Sequence, residues 1–141
     1  MIKLLARERG VDKHGSGDFN APRSGGRSHN GVDYSAEVYA GVMSPVVGTV
    51  TKHGFPYSDE AKSHFRYVEV TDNQGYRHRL FYVLPCLPVG SVVTDMDVVG
   101  TVQHIAKDYP GMKNHIHYEI KRKDNSFVDP NVFWYEPEEV E

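Results

Sequence analysis

Phe65-Arg66-Tyr67-Val68-Glu69-Val70-Thr71 and His78-Arg79-Leu80-Phe81-Tyr82-Val83, joined through Asp72-Asn73-Gln74-Gly75, decide the fold of this chain. Both runs are rich in β-branched and aromatic residues, which suit a pleated, half-buried surface. The connector is turn chemistry and reads as a hairpin with a loop longer than two residues. Upstream, Val38-Tyr39-Ala40 and Val46-Val47-Gly48-Thr49-Val50-Thr51 repeat the pattern. Downstream, Ser91-Val92-Val93, Val98-Val99-Gly100-Thr101-Val102 and Ile116-His117-Tyr118-Glu119-Ile120 continue it. Ser44-Pro45 and Gly54-Phe55-Pro56 mark further turns. No long segment carries the i, i+3, i+4 apolar spacing of a helix; Asp59-Glu60-Ala61-Lys62 predicts one helical turn. The pattern predicts an all-β, antiparallel sandwich or barrel with few or no helices.

A chain of 141 residues is the size of one domain. Its hydrophobic content of 39% and charged content of 25% are those of a folded globular protein. A formal charge of -3 argues against nucleic acid as a partner, and Lys121-Arg122-Lys123 reads as a solvated turn. No apolar run reaches the length of a membrane helix, so membrane insertion is not expected. The start, Met1 to Arg9, turns charged too early for a secretory signal peptide. Cys86 is the one cysteine, which rules out an intrachain disulfide. Its apolar setting, Leu84-Pro85-Cys86-Leu87-Pro88, predicts a buried, unreactive thiol. Asp12 to Asp18 reads as loop, and the loop is expected to pack beside His29. Trp134-Tyr135 is expected to pack a strand end, and the acidic stretch 136–141 to be exposed.

Two motifs carry chemistry: His29-Asn30-Gly31-Val32-Asp33 and His115-Ile116-His117. On a strand, residues i and i+2 share a face about 7 Å apart. His115 and His117 therefore point to one side and Ile116 to the other. One imidazole can ligate a metal while its neighbour reaches a reacting group, and Glu119, on the same face, can orient a ring. Gly31 is expected to permit a turn that converges His29 and Asp33. Histidines with a carboxylate form the mixed nitrogen and oxygen set that zinc takes in catalytic sites, with a fourth position open for water. Water on such an ion can ionise near a pKa of about 7.

These motifs, in this order in an all-β chain, resemble the lysostaphin-type, or LytM-type, zinc endopeptidases. The likeness extends through Val38 to Val50, an approach to an apolar-Pro-x-x-Gly-x-Val turn. It continues through Pro88-Val89-Gly90-Ser91-Val92-Val93 with Val98-Val99-Gly100, and through Asp129-Pro130. The resemblance implies a compact antiparallel β-sandwich/barrel-sandwich hybrid over residues 23–135, with 1–22 an extension packed near the site and 136–141 a tail. It implies one zinc ion held by His29, Asp33 and His117, with His115 as the non-ligating catalytic histidine. The implied partner is the peptide of bacterial peptidoglycan, cleaved in its cross-bridges or stems.

One element departs from the family pattern. Active members carry a second catalytic histidine in a Tyr-x-His-Leu strand, whereas this chain reads Leu80-Phe81-Tyr82-Val83-Leu84-Pro85. On the simplest register Leu84 takes the histidine's place. Tyr82, expected on the same strand face as Leu84, His78 and Leu80, is the candidate to replace the lost donor. The same strand, and Asp108-Tyr109-Pro110-Gly111-Met112, also resemble a vertebrate secreted chemotaxin of this fold that keeps zinc without known peptidase activity. A catalytically inactive, zinc-stabilised binding or structural module is therefore the alternative expectation. For an active enzyme without an export signal, the expected route to the wall is a larger particle such as a phage tail, or release by lysis. Tyr57, Tyr109 and residues 12–28 are the candidates for the substrate groove.

Overall fold

The computed structural model describes residues 11–12, 15–16, 30–130 and 133. Among the described residues there are twelve strands. They are β1 (Val11–Asp12), β2 (Gly15–Ser16), β3 (Val32–Ser35), β4 (Gly41–Met43), β5 (Gly48–Gly54) and β6 (Tyr67–Asp72). They continue with β7 (Arg77–Phe81), β8 (Val83–Pro85), β9 (Val92–Val93), β10 (Val98–Val102), β11 (His115–Lys121) and β12 (Phe127–Val128). Short 3-10 turns cover Glu60–Lys62 and Ile105–Lys107. The fold is all-β, and every strand pair is antiparallel. No helix among the described residues is long and apolar enough to cross a membrane.

The large sheet has the order β12-β11-β7-β6-β5-β9, with β3 joined to β11. A smaller sheet has the order β4-β10-β8, and β1 pairs with β2. Alternation along the strands of the large sheet gives it two chemically different faces. Val50, Val68, Val70, Leu80, Ile116, Tyr118 and Ile120 project to one side and are almost wholly buried with Val42, Val83, Val99 and Val102 of the smaller sheet. Each such apolar side chain contributes about 1.5–3 kcal/mol through burial. The opposite face carries Asp33, His117 and Phe81 in one cross-strand row, and Glu119, Arg79 and Glu69 in the next. Arg79 Nε donates to Glu69 Oε2 at 2.7 Å within that second row.

The hairpin between β6 and β7 forms as its sequence predicts. Asp72 accepts the backbone N–H groups of Gln74 and Tyr76, and Gly75 takes φ 88° in the turn. The predicted helical turn is the 3-10 turn Glu60–Lys62, capped by Asp59, whose side chain accepts from the Ala61 N–H.

Several expectations are corrected. Residues 38–40 form a turn instead of a strand, with Tyr39 at φ 70°, and pairing begins at Gly41. The next strand starts at Gly48, two residues later than predicted, and runs on to Gly54. Residues 12–18 are not all loop, because Val11–Asp12 pairs with Gly15–Ser16. Cys86 is exposed, since the apolar residues around it lie at the margin of the smaller sheet. Most of the 1–22 extension, the loop beside His29, Trp134-Tyr135 and the 136–141 tail lie outside the described residues.

The correction that bears on the site concerns residues 78–83, expected as one strand. Tyr82 has φ 66°, and the chain leaves the large sheet at Phe81 to enter the smaller one at Val83. A bulky residue at positive φ is strained and persists only where its surroundings fix it. Here the Tyr82 and Val83 N–H groups both donate to the Arg66 carbonyl, at 2.8 and 3.3 Å, and the Tyr82 carbonyl accepts from Gln103 N–H at 2.8 Å. The alternation that would place Tyr82 on one face with His78, Leu80 and Leu84 does not run through this break. His78 and Leu80 are wholly buried in the core, while Leu84 is 48% exposed.

Candidate metal and catalytic centre

Strands β3 and β11 pair so that Asp33 lies directly opposite His117, and His117 in turn lies opposite Phe81 of β7. The backbone register alone therefore brings the carboxylate and the imidazole together. Asp33 Oδ1 is 3.0 Å from His117 Nδ1. The other ring nitrogen, Nε2, is 3.0 Å from Glu119 Oε1. The ring is thus held at both ends, its Nδ1 aimed at Asp33. The edge-on ring of Phe81, 5.1 Å away between centroids, fixes its plane.

Gly31 sits at a bend just before β3; the expected convergence of His29 with Asp33 involves a residue outside those described. A Cβ on Gly31 would sit 2.1 Å from the Tyr118 carbonyl oxygen and 3.0 Å from His117 Cε1. Glycine is required because β11 approaches so closely.

His115 occupies the same face two residues earlier and is buried. Its Nδ1–H donates to the Lys113 carbonyl at 2.8 Å, which turns Nε2 toward Asp33 Oδ2 at 3.4 Å. Ile116, between the histidines, is wholly buried in the core, as strand alternation requires. Tyr82 meets this cluster from the break between β7 and β8, its ring edge-on to that of His115 with centroids 5.6 Å apart. Its hydroxyl is 2.7 Å from that of Tyr57.

The electrostatics follow from two carboxylates around one imidazole. Burial disfavours charge on His117, but hydrogen bonds to Asp33 and Glu119 outweigh it and raise its pKa to about 9. Burial pushes the Tyr82 hydroxyl well above the ordinary tyrosine value, with Tyr57 and the Asp33 carboxylate adding to the shift. At neutral pH Tyr82 is an uncharged hydrogen-bond donor.

The structure brings together Asp33, His115, His117, Glu119 and Tyr82; His29 lies outside the described residues. Among the described residues no group of three or more His, Cys, Asp or Glu side chains could hold a metal ion. Asp33 and His117 supply one oxygen and one nitrogen donor at close range, two of the three ligands a catalytic zinc site needs. The hydrogen bond that the far nitrogen donates to Glu119 is what metal-ligating histidines commonly carry. The donors fit zinc, with His29 as the third ligand to be tested. Sequence reading did not find Phe81, which takes its place through the β7–β11 register, and it placed Tyr57 among groove candidates without linking it to Tyr82.

This architecture defines the class: the chain has the lysostaphin-type fold of M23 peptidases. Lysostaphin from Staphylococcus simulans superposes with a TM-score of 0.64 at 16% identity over 84% of this chain, which spans 48% of that structure. A mutant catalytic domain of the prophage-encoded M23 protein EnpA from Enterococcus faecalis gives a TM-score of 0.61 at 20% identity, covering 87% of this chain and 91% of the other. A zinc-containing peptidase from Vibrio cholerae gives 0.59 at 21% identity, covering 86% of this chain and 39% of that one. By sequence, the chain is similar to leukocyte cell-derived chemotaxin-2 of Bos taurus, 29% identical over 125 residues, which cover 89% of this chain and 78% of the relative. The Mus musculus protein of the same name is 29% identical over 111 residues, covering 79% and 71%. No family model matches the chain.

Proposed function

We propose that the protein is a zinc-dependent endopeptidase acting on the peptides of bacterial peptidoglycan. The observation that carries this reading is the meeting of Asp33 Oδ1 and His117 Nδ1 at 3.0 Å, with His115 beside them on the same sheet face. Zinc held by His29, Asp33 and His117 would polarise the scissile carbonyl and activate water. The chain's own groups do the rest. Glu119 holds the His117 ring so that Nδ1 faces Asp33. His115, anchored through Nδ1 to the Lys113 carbonyl, presents Nε2 as the nitrogen that takes up and returns a proton. Tyr82, protonated at neutral pH, donates its hydroxyl hydrogen to the developing oxyanion, the role of the histidine the strand lacks. Access to the wall through a larger particle such as a phage tail is part of the proposal.

A second reading has its own support. The sequence relatives at 29% identity are named as chemotaxins, and on the simplest register Leu84 takes the place of the family's second catalytic histidine. On that reading the chain is a zinc-stabilised module without turnover. Incubation of purified protein with peptidoglycan separates the two. The peptidase reading expects turbidity loss and released muropeptides with wild type, and none with His115→Ala or His117→Ala. Bound zinc, a melting temperature that falls on chelation and no released product would support the module.

A further inference from the structure

We propose that Asn114 and Gln103 are positioning residues that hold Tyr82 and His115 in one fixed mutual geometry. The inference rests on reading those two side chains as the oxyanion donor and the proton carrier. They come from different parts of the fold. His115 opens β11 of the large sheet, and Tyr82 stands where the chain crosses from β7 of that sheet to β8 of the smaller one. Both must reach one reacting carbonyl, and a misplacement of about 1 Å can cost about a hundredfold in rate. Their rings meet edge-on with centroids 5.6 Å apart, a contact that by itself constrains two rotatable side chains weakly.

Gln103 follows β10 and grips the Tyr82 corner. Its side-chain Oε1 accepts from the Arg66 N–H at 2.9 Å, and its Nε2 donates to the His64 carbonyl at 2.8 Å. The carboxamide thus pairs with residues 64–66 as a short strand would. The Arg66 carbonyl in turn accepts the Tyr82 N–H, and the Gln103 N–H donates to the Tyr82 carbonyl. Both backbone groups of Tyr82 therefore end on Gln103 or on the segment that Gln103 holds.

Asn114 closes the bridge from the His115 side. Its Nδ2 donates to the carbonyls of Gln103 and Ala36, at 3.2 and 2.9 Å, and its Oδ1 accepts from the Ala106 N–H at 3.2 Å. One acceptor and two donors match this set in a single amide orientation, and an aspartate of the same shape would lose both donors. The Asn114 backbone carbonyl also accepts from the Ala36 N–H at 3.0 Å. The peptide plane on the N-terminal side of Asn114 carries the Lys113 carbonyl, the group that accepts the His115 Nδ1–H at 2.8 Å. A carbonyl can only accept, so it keeps the proton on Nδ1 and leaves Nε2 for the site. Pinning Asn114 steadies that plane, and with it the tautomer and aim of His115. The same amide, through Gln103, reaches the backbone of Tyr82.

The test uses the zinc-loaded protein labelled with 15N in its histidine rings, whose nitrogen shifts distinguish the two tautomers. The His115 and Tyr82 signals are assigned through His115→Gln and Tyr82→Phe. Wild type is expected to show His115 protonated at Nδ1 and a nuclear Overhauser contact between the Tyr82 and His115 rings. Asn114→Asp keeps the acceptor for Ala106 and loses both donors. Asn114→Ala loses all three side-chain bonds without adding charge, and serves if the aspartate variant does not fold. In either, the His115 tautomer is expected to become mixed and the ring contact to weaken. Gln103→Ala is expected to weaken the ring contact alone, because the Gln103 carbonyl that Asn114 holds is backbone and remains. General loss of stability would not produce that split. In parallel, kcat for peptide cleavage is expected to fall roughly tenfold to a hundredfold in Asn114→Ala, with KM and zinc content held. A wild-type tautomer together with a wild-type ring contact in the folded Asn114 variants overturns the proposal whatever the activity. Both signals moving, in protein with no peptidase activity in any form, supports it and removes the peptidase reading instead.

Discussion

Asp33 and His117 face each other across paired strands β3 and β11, and their side chains meet at 3.0 Å between Oδ1 and Nδ1. Residues 84 positions apart become one centre through strand register. The proposed metal function therefore depends on the precision of a sheet, a more rigid support than a loop.

That dependence is sharpest at Gly31. Gly31→Ala would drive a methyl group against the Tyr118 carbonyl and the His117 ring. Overpacking of this kind costs typically about 1–3 kcal/mol. The expected outcome is a lower melting temperature together with lost zinc stoichiometry, read by thermal denaturation and elemental analysis on the same sample.

Glu119 touches His117 and none of the other candidate ligands described. Glu119→Gln is expected to retain the fold and weaken zinc binding by about tenfold to a hundredfold, the usual effect of removing a partner that orients a metal-ligating imidazole. Competition against a chelator of known affinity measures it. Unchanged affinity would mean that the Nε2 contact plays no part in aiming Nδ1.

Much of this was legible in the sequence, and the omissions have physical causes. Alternation in 115–119 correctly separates the inward Ile116 from the histidines and Glu119, because period-two patterning survives in any regular strand. The same rule fails at Tyr82. Leu80 to Leu84 alternates as well as any strand, and only the tertiary anchors at Arg66 and Gln103 make a tyrosine adopt positive φ. Cys86 misleads in a related way, since an apolar neighbourhood in sequence does not say which side of a sheet margin faces water. The close approach of β11 to Gly31 was not legible, because that constraint comes from a strand far along the chain.

Tyr82→Phe isolates the hydroxyl while keeping the ring that packs on His115. On the proposed mechanism it lowers kcat by about 10²–10³, the loss seen when an oxyanion donor is removed, with zinc content and melting temperature near wild type. Steady-state kinetics on a soluble cross-bridge peptide would read it. A variant as fast as wild type would assign Tyr82 to packing alone.

Two buried histidines set opposite pH limits on the zinc-free protein. His117 has a pKa raised to about 9, so its contribution is full below the unfolded value of about 6.5 and is lost as pH rises through about 9. His78 is the reverse. Burial holds its pKa below the ordinary value despite Asp72, so stability is lost as pH falls below about 6.5. Denaturant unfolding across pH is expected to show highest stability near the crossover. His117→Gln should flatten the alkaline limb and His78→Gln the acid limb.

The central claim is that the Asp33–His117 centre holds zinc that cuts peptide bonds, and metal add-back tests it most directly. Purified protein is stripped with a chelator, dialysed, and assayed for new amine termini released from peptidoglycan before and after one equivalent of zinc. The account predicts no release from the stripped protein, restored release on adding zinc to wild type, and none on adding zinc to His117→Ala. Fully zinc-loaded wild type that releases no amine termini, or release equal with and without the metal, would contradict it.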